Sequence, residues 1–301
     1  MRDPICIGLD LAWSPNHPSG IAVIKGVTSG GKVMGGILTD SRILQTDQEI
    51  SNYILQQGGE APWVVVAVDA PLWVPNPSGQ RRAETELNQI FRVYQAGAHP
   101  SNRQRLSYGG KVRGESLIAN LAEGGFVYRA SIQPDWVGRQ LTEVYPHPAM
   151  VALFGLQRTL KYKAKPQRPW AERQQAWQDY QQHLNQLGES DPWLRGQQSL
   201  LAKKVEDRRG RALKNYEDQV DALMCAYIAL YGLRWGSQRC RTFGDVEEGS
   251  IFTPIPSSLW RVGESSPFDG STGGGDQQQD PRLVDVDGAC LQGNANHAIS
   301  S

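Results

Sequence analysis

One ten-residue segment, PWVVVAVDAP over residues 62–71, constrains the fold more than any other part of the sequence. Its apolar residues follow one another without the alternation expected of a strand that has one face in water. A short, continuous, β-branched run of this kind is typical of a strand buried on both faces of a sheet. The run ends on a carboxylate, Asp69, so the sequence predicts an α/β fold with an acidic residue at the end of a central strand.

The rest of the chain supplies the other elements of such a fold. Three apolar segments with short connections predict an antiparallel meander over residues 5–10, 20–25 and 32–44. Helical spacing predicts helices over residues 46–57, 79–97, about 114–123, 166–187 and 215–236. We expect a loop over 98–113, a strand, turn and helix over 140–155, and a last strand over 249–256.

Strands followed by alternating strands and helices predict one mixed α/β domain over residues 1–260. Residues 261–301 are rich in Gly, Ser and Gln and have little to bury, which predicts a disordered tail.

Composition excludes several classes of protein. The 301 residues are 39% hydrophobic and 21% charged, as in soluble globular proteins, and the formal net charge is zero. The four cysteines are scattered without a CxxC pair, which argues against a zinc site or a disulfide framework. The sequence begins without a signal-peptide pattern and has no apolar run near the length of a membrane span. We therefore expect a cytoplasmic protein that does not bind membranes.

Acidic residues recur where the predicted strands end and on the last long helix. Asp10 ends the first strand, Asp69 ends the central strand, and Glu143 lies in the segment LTEVYP. Asp218 and Asp221 are three residues apart on the predicted helix, so they share one face. Asp221 falls within the apolar pattern of that helix, and a buried carboxylate without a partner is costly. Pairing, protonation or a metal ion must relieve this cost.

Each of these acids also has a purely structural explanation. Asp10 would begin a loop, and Asp69 would form an Asx turn before Ala-Pro. Glu143 would pair with an arginine, and Asp218 would be stabilised by the dipole of its helix near the N-terminus. Taken together, however, carboxylates that meet at the strand ends of a sheet repel one another unless a cation lies between them. A ligand set of oxygen atoms with little His or Cys predicts Mg²⁺ or Mn²⁺.

Two arginines follow the central strand at the start of a predicted helix. Helix N-termini and guanidinium groups both favour phosphate, so Arg81 and Arg82 are candidates for substrate binding. The alternative is that they form ion pairs with Glu84, Glu86 or Glu143.

A basic segment, KYKAKPQR over residues 161–168, contains two further candidates, Lys161 and Lys163. Closely spaced lysines can follow the phosphates of DNA or RNA, which would make nucleic acid the partner. The alternative is an ordinary solvated loop.

Six short motifs together resemble the family known as domain of unknown function 429, a family of predicted ribonuclease H-like nucleases. The motifs, in chain order, are GLDLAW, DAPL, RRAETE, EVYPHPA, KYK and DQVDALMCA. The strand endings IGLD and VAVDAP and the helix segment DQVDA are also similar to the ribonuclease H-like superfamily and, within it, to RuvC-type resolvases. The resemblance spans about residues 5–256 and implies a mixed sheet, an antiparallel meander followed by parallel strands, flanked by helices.

The resemblance also implies an activity, the hydrolysis of nucleic-acid phosphodiester bonds by a two-metal-ion mechanism. Asp10 would bridge two ions, Asp69 would be the acid of the second strand, and Asp221 with Asp218 would be the helix ligands. Glu143 matches a motif of the narrower family and completes the predicted catalytic set. Asp69 departs from the resolvase pattern, in which this position is a glutamate.

Two other functions remain open at the level of sequence. A sugar-kinase or actin-like ATPase would share the opening hairpin and its aspartate, but it needs a second glycine-rich phosphate loop. The segment GGGD over residues 273–276 lies in the predicted tail and does not fit that role. A nucleic-acid-binding protein that keeps the fold without catalysis is the other alternative.

Overall fold

The computed structural model describes residues 3–260 of the chain. Its strands are β1 (Ile5–Asp10), β2 (Ser19–Ser29), β3 (Lys32–Leu44), β4 (Val64–Val68), β5 (Ser107–Tyr108), β6 (Lys111–Val112), β7 (Val127–Tyr128), β8 (Arg139–Glu143), β9 (Trp193–Arg195), β10 (Cys240–Asp245) and β11 (Gly249–Pro254). Its α-helices are α1 (Asp47–Gly58), α2 (Arg82–Phe91), α3 (Arg103–Leu106), α4 (Arg113–Ala122), α5 (Pro146–Phe154), α6 (Trp170–Gln186), α7 (Gln198–Leu201) and α8 (Gly210–Trp235).

Seven of the strands form one mixed sheet in the order β7-β8-β4-β1-β2-β3-β9. The pairs β1–β2 and β2–β3 are antiparallel, which confirms the predicted meander. On the other side of β1, strands β4, β8 and β7 are added in parallel. The expectation of a mixed α/β fold with helices flanking the sheet is therefore confirmed.

The central strand β4 is buried on both faces, as its uninterrupted apolar run predicts. Val64, Val66 and Val68 pack in a core with side chains of α1 and α4, whereas Val65 and Ala67 pack in a second core with side chains of α8. The sheet therefore lies between helices on both of its faces. A separate two-stranded sheet, β10–β11, shares a smaller core with α2.

The predicted helix over residues 79–97 is shorter in the structure. Helix α2 begins after Arg81, whose backbone N–H donates to the side chain of Glu84 in a capping arrangement. It ends at Phe91 because the chain then turns back, with Gln95 in the left-handed region at φ 56°. The backbone N–H of Ala96 donates to the carbonyl of Phe91 and closes this turn.

Several short elements were not predicted from the sequence, because each has too few residues to show a periodic pattern. The expected loop over 98–113 contains α3 and the hairpin β5–β6. Strand β9 pairs with β3, and β10 pairs with β11. The long helix begins at Gly210, five residues before the predicted start.

The predicted tail, residues 261–301, lies outside the described residues. Among residues 3–260, none of the helices has the length and apolar character that crossing a membrane requires.

Candidate active site

Two of the predicted acids lie side by side at one edge of the sheet. Strands β1 and β4 run parallel, with Leu9 opposite Val68. The backbone N–H of Asp69 donates to the carbonyl of Leu9 at 2.8 Å, which fixes the first residue after β4 beside the last residue of β1, Asp10. The carboxyl ends of parallel strands form the usual edge for a site in an α/β sheet, and both acids are partly buried there.

Helix α8 brings two more acids to the same edge because glycine allows it to lie against the strands. A Cβ atom at Gly8 of β1 would be 1.9 Å from the carbonyl oxygen of Ala222, and one at Gly20 of β2 would be 2.0 Å from that of Asp218. Any other residue at these positions would push the helix away. The close approach leaves Asp218 5% exposed and Asp221 fully buried, next to the ends of β1 and β4.

The carboxylate of Asp221 is held by two consecutive residues of the segment between α5 and α6. The hydroxyl of Tyr162 donates to Oδ1 at 2.6 Å, and Nζ of Lys163 lies 2.7 Å from Oδ2. The contact with Lys163 is an ion pair, and the contact with Tyr162 is a hydrogen bond, so both oxygens of this buried carboxylate have a partner. Asp221 is therefore neutralised in part by the ammonium group of a residue 58 positions away.

The acids and Lys163 perturb one another electrostatically. Burial raises the pKa of Asp10 well above its usual range, and the charges of Asp221, Asp69 and Asp218 raise it further while Lys163 opposes them. Burial also raises the pKa of Asp69, to about 7. Nearby carboxylates add to this increase, and the charge of Lys163 opposes it. Such shifts are typical of carboxylates crowded at a functional site.

Asp218, predicted as a metal ligand, is paired with a lysine one turn earlier on α8. Nζ of Lys214 lies 2.7 Å from a carboxylate oxygen of Asp218 and 2.8 Å from one of Glu217. The spacing of Lys214 to these two acids, three and four residues, is the signal in the sequence from which this pairing could have been predicted. A ligand role for Asp218 stays a prediction.

Glu143 and Arg81, placed by the sequence in catalytic and substrate-binding roles, form a buried ion pair. Two guanidinium nitrogens of Arg81 donate to the carboxylate of Glu143 at 2.5 and 2.9 Å, and the backbone N–H of Leu72 donates to it at 2.9 Å. Arg81 also donates to Glu84 at 2.8 Å. The alternative left open by the sequence, that Arg81 pairs with glutamates, therefore describes its contacts. Catalysis by Glu143 stays a prediction.

Arg82, the other arginine, lies on the protein surface. Its side chain is 59% exposed and pairs with Glu86 at 2.6 Å and with Asp245 at 3.5 Å. These contacts again match the ion-pair alternative, and phosphate binding by Arg82 stays a prediction.

A cavity of about 600 Å³ opens over the acids and is lined by positive charges. Asp10 and Asp69 line it together with five cationic residues: Lys161, Lys163, Lys165, Arg168 and Lys214. An adjoining cavity of about 450 Å³ shares Asp10 and Lys214 and adds Arg211 and Asp218. The structure thus brings the two predicted lysines, Lys161 and Lys163, into one cavity with two of the predicted acids.

The acids suit a hard divalent cation by their chemistry. Asp10, Asp69 and Asp221 offer only carboxylate oxygens, which Mg²⁺ and Mn²⁺ prefer. Within residues 3–260, however, the structure contains no group of three or more Asp, Glu, His or Cys side chains that is already arranged to hold a metal ion. The carboxylates must therefore adjust around an ion.

The comparison with known families gives one match. The family model described as "Protein of unknown function (DUF429)" matches residues 9–248. The chain belongs to the DUF429 family. No curated protein and no solved structure matches the chain.

Membership of DUF429 confirms the narrower resemblance seen in the motifs. The matched residues include Asp10 and Asp69 at the strand ends, Lys163 between α5 and α6, and Asp221 on α8. The family description states no activity, so what this site does must be argued from its geometry.

Proposed function

We propose that this member of DUF429 is a metal-dependent hydrolase that cleaves phosphodiester bonds of nucleic acid on a ribonuclease H-like fold. One observation carries the proposal. Asp10 and Asp69 end neighbouring parallel strands, and Asp221 lies buried on a helix held against the same strands by Gly8 and Gly20. Three carboxylates gathered at one sheet edge favour a divalent cation, because the single ammonium group of Lys163 leaves them with an excess of negative charge.

The order of the strands supports the fold assignment. Strands β3, β2 and β1 form an antiparallel meander, and β4 and β8 follow in parallel on the side of β1. This is the sheet that the motif resemblance implies for the ribonuclease H-like superfamily. The acids also occupy the positions implied by that resemblance: the end of the first strand, the end of the next parallel strand and the last long helix.

The chemistry of phosphodiester hydrolysis fits these residues. A bound Mg²⁺ or Mn²⁺ would lower the pKa of water and stabilise the charge that develops on the leaving oxygen. Asp10 and Asp69 would hold the ion, with Asp221 beside them, on elements that are fixed by the sheet and by α8. Lys161 and Lys163 line the cavity above the acids, where Lys161 would bind the phosphate group to be cleaved and Lys163 pairs with Asp221.

Nucleic acid as the substrate is supported by the charge around the acids. Cationic residues line both cavities that meet at Asp10, with Lys161, Lys165 and Arg168 in one and Arg211 in the other. A polyanion that lies across the acids would therefore meet positive charge on both sides, as proteins that bind the nucleic-acid backbone require. The formal net charge of zero shows that this positive charge is local.

The proposal is tested by incubating the full chain with Mn²⁺ or Mg²⁺ and a panel of single-stranded, double-stranded and branched DNA and RNA. We expect cleavage by the wild type and a loss of more than about 100-fold in Asp10→Asn and Asp221→Asn, since even residues that only support metal ligands cost about 10–100-fold. Glu60→Gln, at an exposed position just after the end of α1, is the matched control and should cleave as the wild type does.

The other outcomes of the assay would refute the assigned site or favour one of the two alternative functions. Equal cleavage by the wild type, Asp10→Asn and Asp221→Asn would refute the assigned site. ATP hydrolysis without nucleic acid would favour the sugar-kinase or actin-like alternative. Binding of nucleic acid that needs no metal, shows no cleavage and is unchanged in Asp10→Asn would favour a protein that only binds.

A further inference from the structure

Lys163 is placed among the acids as firmly as the acids themselves. Its Nζ lies 2.7 Å from Oδ2 of Asp221, a carboxylate with no exposure to solvent. The same ammonium group lines the cavity that Asp10 and Asp69 line. A lysine that only covered the surface would extend into solvent, whereas the side chain of Lys163 is 27% exposed and ends on a buried charge.

The segment that carries Lys163 is fixed by contacts on every side. Tyr162, its neighbour, donates to the other oxygen of Asp221 and packs its ring against Trp177 and Tyr180, at 4.8 and 4.9 Å between centroids. The segment is held to its own flanks as well, because Arg168 donates to the carbonyl of Lys163 at 2.8 Å. The backbone that carries Lys163 is therefore held next to Asp221 by a buried aromatic cluster, and the ion pair with Asp221 then places the ammonium group.

The balance of charge in the cluster limits what else it can bind. Asp10, Asp69 and Asp221 carry three negative charges when ionised, and Lys163 cancels one of them. The ammonium group of Lys163 also occupies the space beside Oδ2 of Asp221, 2.7 Å away, so a second metal ion at that carboxylate would meet a like charge at close range. Asp218 and Glu217 share the single ammonium group of Lys214, at 2.7 and 2.8 Å, so together they add one net negative charge to the cluster.

We propose that Lys163 is a permanent cation of this site and takes the place of one of the two metal ions that the family resemblance implies. The site then binds a single Mg²⁺ or Mn²⁺, held by Asp10 and Asp69 and flanked by the Asp221–Lys163 pair. This inference rests on the proposed function, since it concerns the metal ion that the proposed hydrolase would use. The proposed mechanism uses one metal ion and one lysine where the resemblance implies two metal ions.

The test is a count of bound Mn²⁺ ions per full chain, by isothermal titration calorimetry and by electron paramagnetic resonance of free Mn²⁺. We expect one ion in the wild type and two in Lys163→Met, because removal of the ammonium group frees a negatively charged position at Asp221. Lys163→Arg keeps the charge and should bind one ion. Lys165→Met removes an exposed charge from the same cavity without touching Asp221, and should also bind one.

Two ions in the wild type, or one ion in both the wild type and Lys163→Met, would overturn the inference while leaving a metal-dependent hydrolase intact. No Mn²⁺ binding by any of the proteins would refute the proposed function itself, and the inference with it. Far-ultraviolet circular dichroism and thermal unfolding establish that each variant is folded. If Lys163→Met does not fold, Lys163→Gln, which keeps a polar group beside Asp221, is counted in its place against the same two outcomes.

Discussion

The close contact between α8 and the sheet makes Gly8→Ala a sharp test of how the site is assembled. A Cβ atom at residue 8 would lie 1.9 Å from the carbonyl oxygen of Ala222 and 2.2 Å from the backbone nitrogen of Ala226. Both neighbours are backbone atoms of a buried helix, so no side chain can rotate to make room. The helix, the strand or both must move.

The size of the effect follows from that distance. To bring the Cβ from 1.9 Å to at least 3.0 Å, α8 must withdraw by about 1.1 Å. Overpacking of this kind costs about 1–3 kcal/mol, and rigid neighbours favour the upper end. The loss of unfolded-state freedom on replacing glycine offsets about 0.4–1 kcal/mol. We therefore expect the free energy of unfolding to fall by about 2 kcal/mol, which lowers Tm by roughly 4–8 °C in a chain of this size.

Differential scanning calorimetry and urea unfolding of the wild type and Gly8→Ala measure this change. Gly188→Ala is the matched control, because the nearest atom to its added Cβ is the carbonyl oxygen of Leu194 at an ordinary 3.5 Å. A decrease in Tm below about 1 °C for Gly8→Ala, or one no larger than that of Gly188→Ala, would refute the reasoning that glycine at this position admits the helix.

Two further predictions concern the surroundings of Asp221. Tyr162→Phe removes a hydrogen bond from a buried carboxylate, so it should lower the free energy of unfolding in urea titrations by about 1–3 kcal/mol. Tyr180→Phe is the control, because it removes a buried hydroxyl that has no partner among the described residues and should be neutral or stabilising. Equal losses in the two variants would contradict this. Burial, aided by the charge of Lys163, lowers the pKa of His147 to about 3, so between the unfolded value of about 6.5 and pH 3 the unfolded state binds more protons. The free energy of unfolding contributed by His147 should fall by roughly 1.4 kcal/mol for each pH unit of acidification in that window, and an unchanged slope in His147→Gln would contradict it.

Local patterns in the sequence determine most of the sheet and several of the helices. The continuous run at 64–68 has apolar residues for both faces, and each face packs in a separate core. Thr46 precedes a helical pattern and accepts a hydrogen bond from the backbone N–H of Glu49, as an N-cap should. Such elements can be predicted because the apolar pattern or the cap that favours them lies within a few residues, even where the core that they pack in comes from distant parts of the chain.

The partners of the charged residues are decided by the tertiary structure. From the sequence, three glutamates are candidate ion-pair partners of Arg81. In the folded chain Arg81 pairs with two of them, Glu84 nearby and Glu143 sixty-two residues later. Arg82 takes the third, Glu86. Sequence spacing does not distinguish these pairings, since they depend on where α2 meets the end of β8.

In the candidate site, too, the sequence determines some features and the tertiary structure decides others. The sequence by itself determines that Asp10 and Asp69 follow strands and that Asp221 interrupts an apolar helix face, because periodicity places them. Only the folded structure shows that Lys163, one of several lysines in a basic segment, ends 2.7 Å from Asp221. The reason is physical: a buried carboxylate takes whichever cation the packing of distant elements brings within reach, and here the aromatic cluster around Tyr162 brings Lys163.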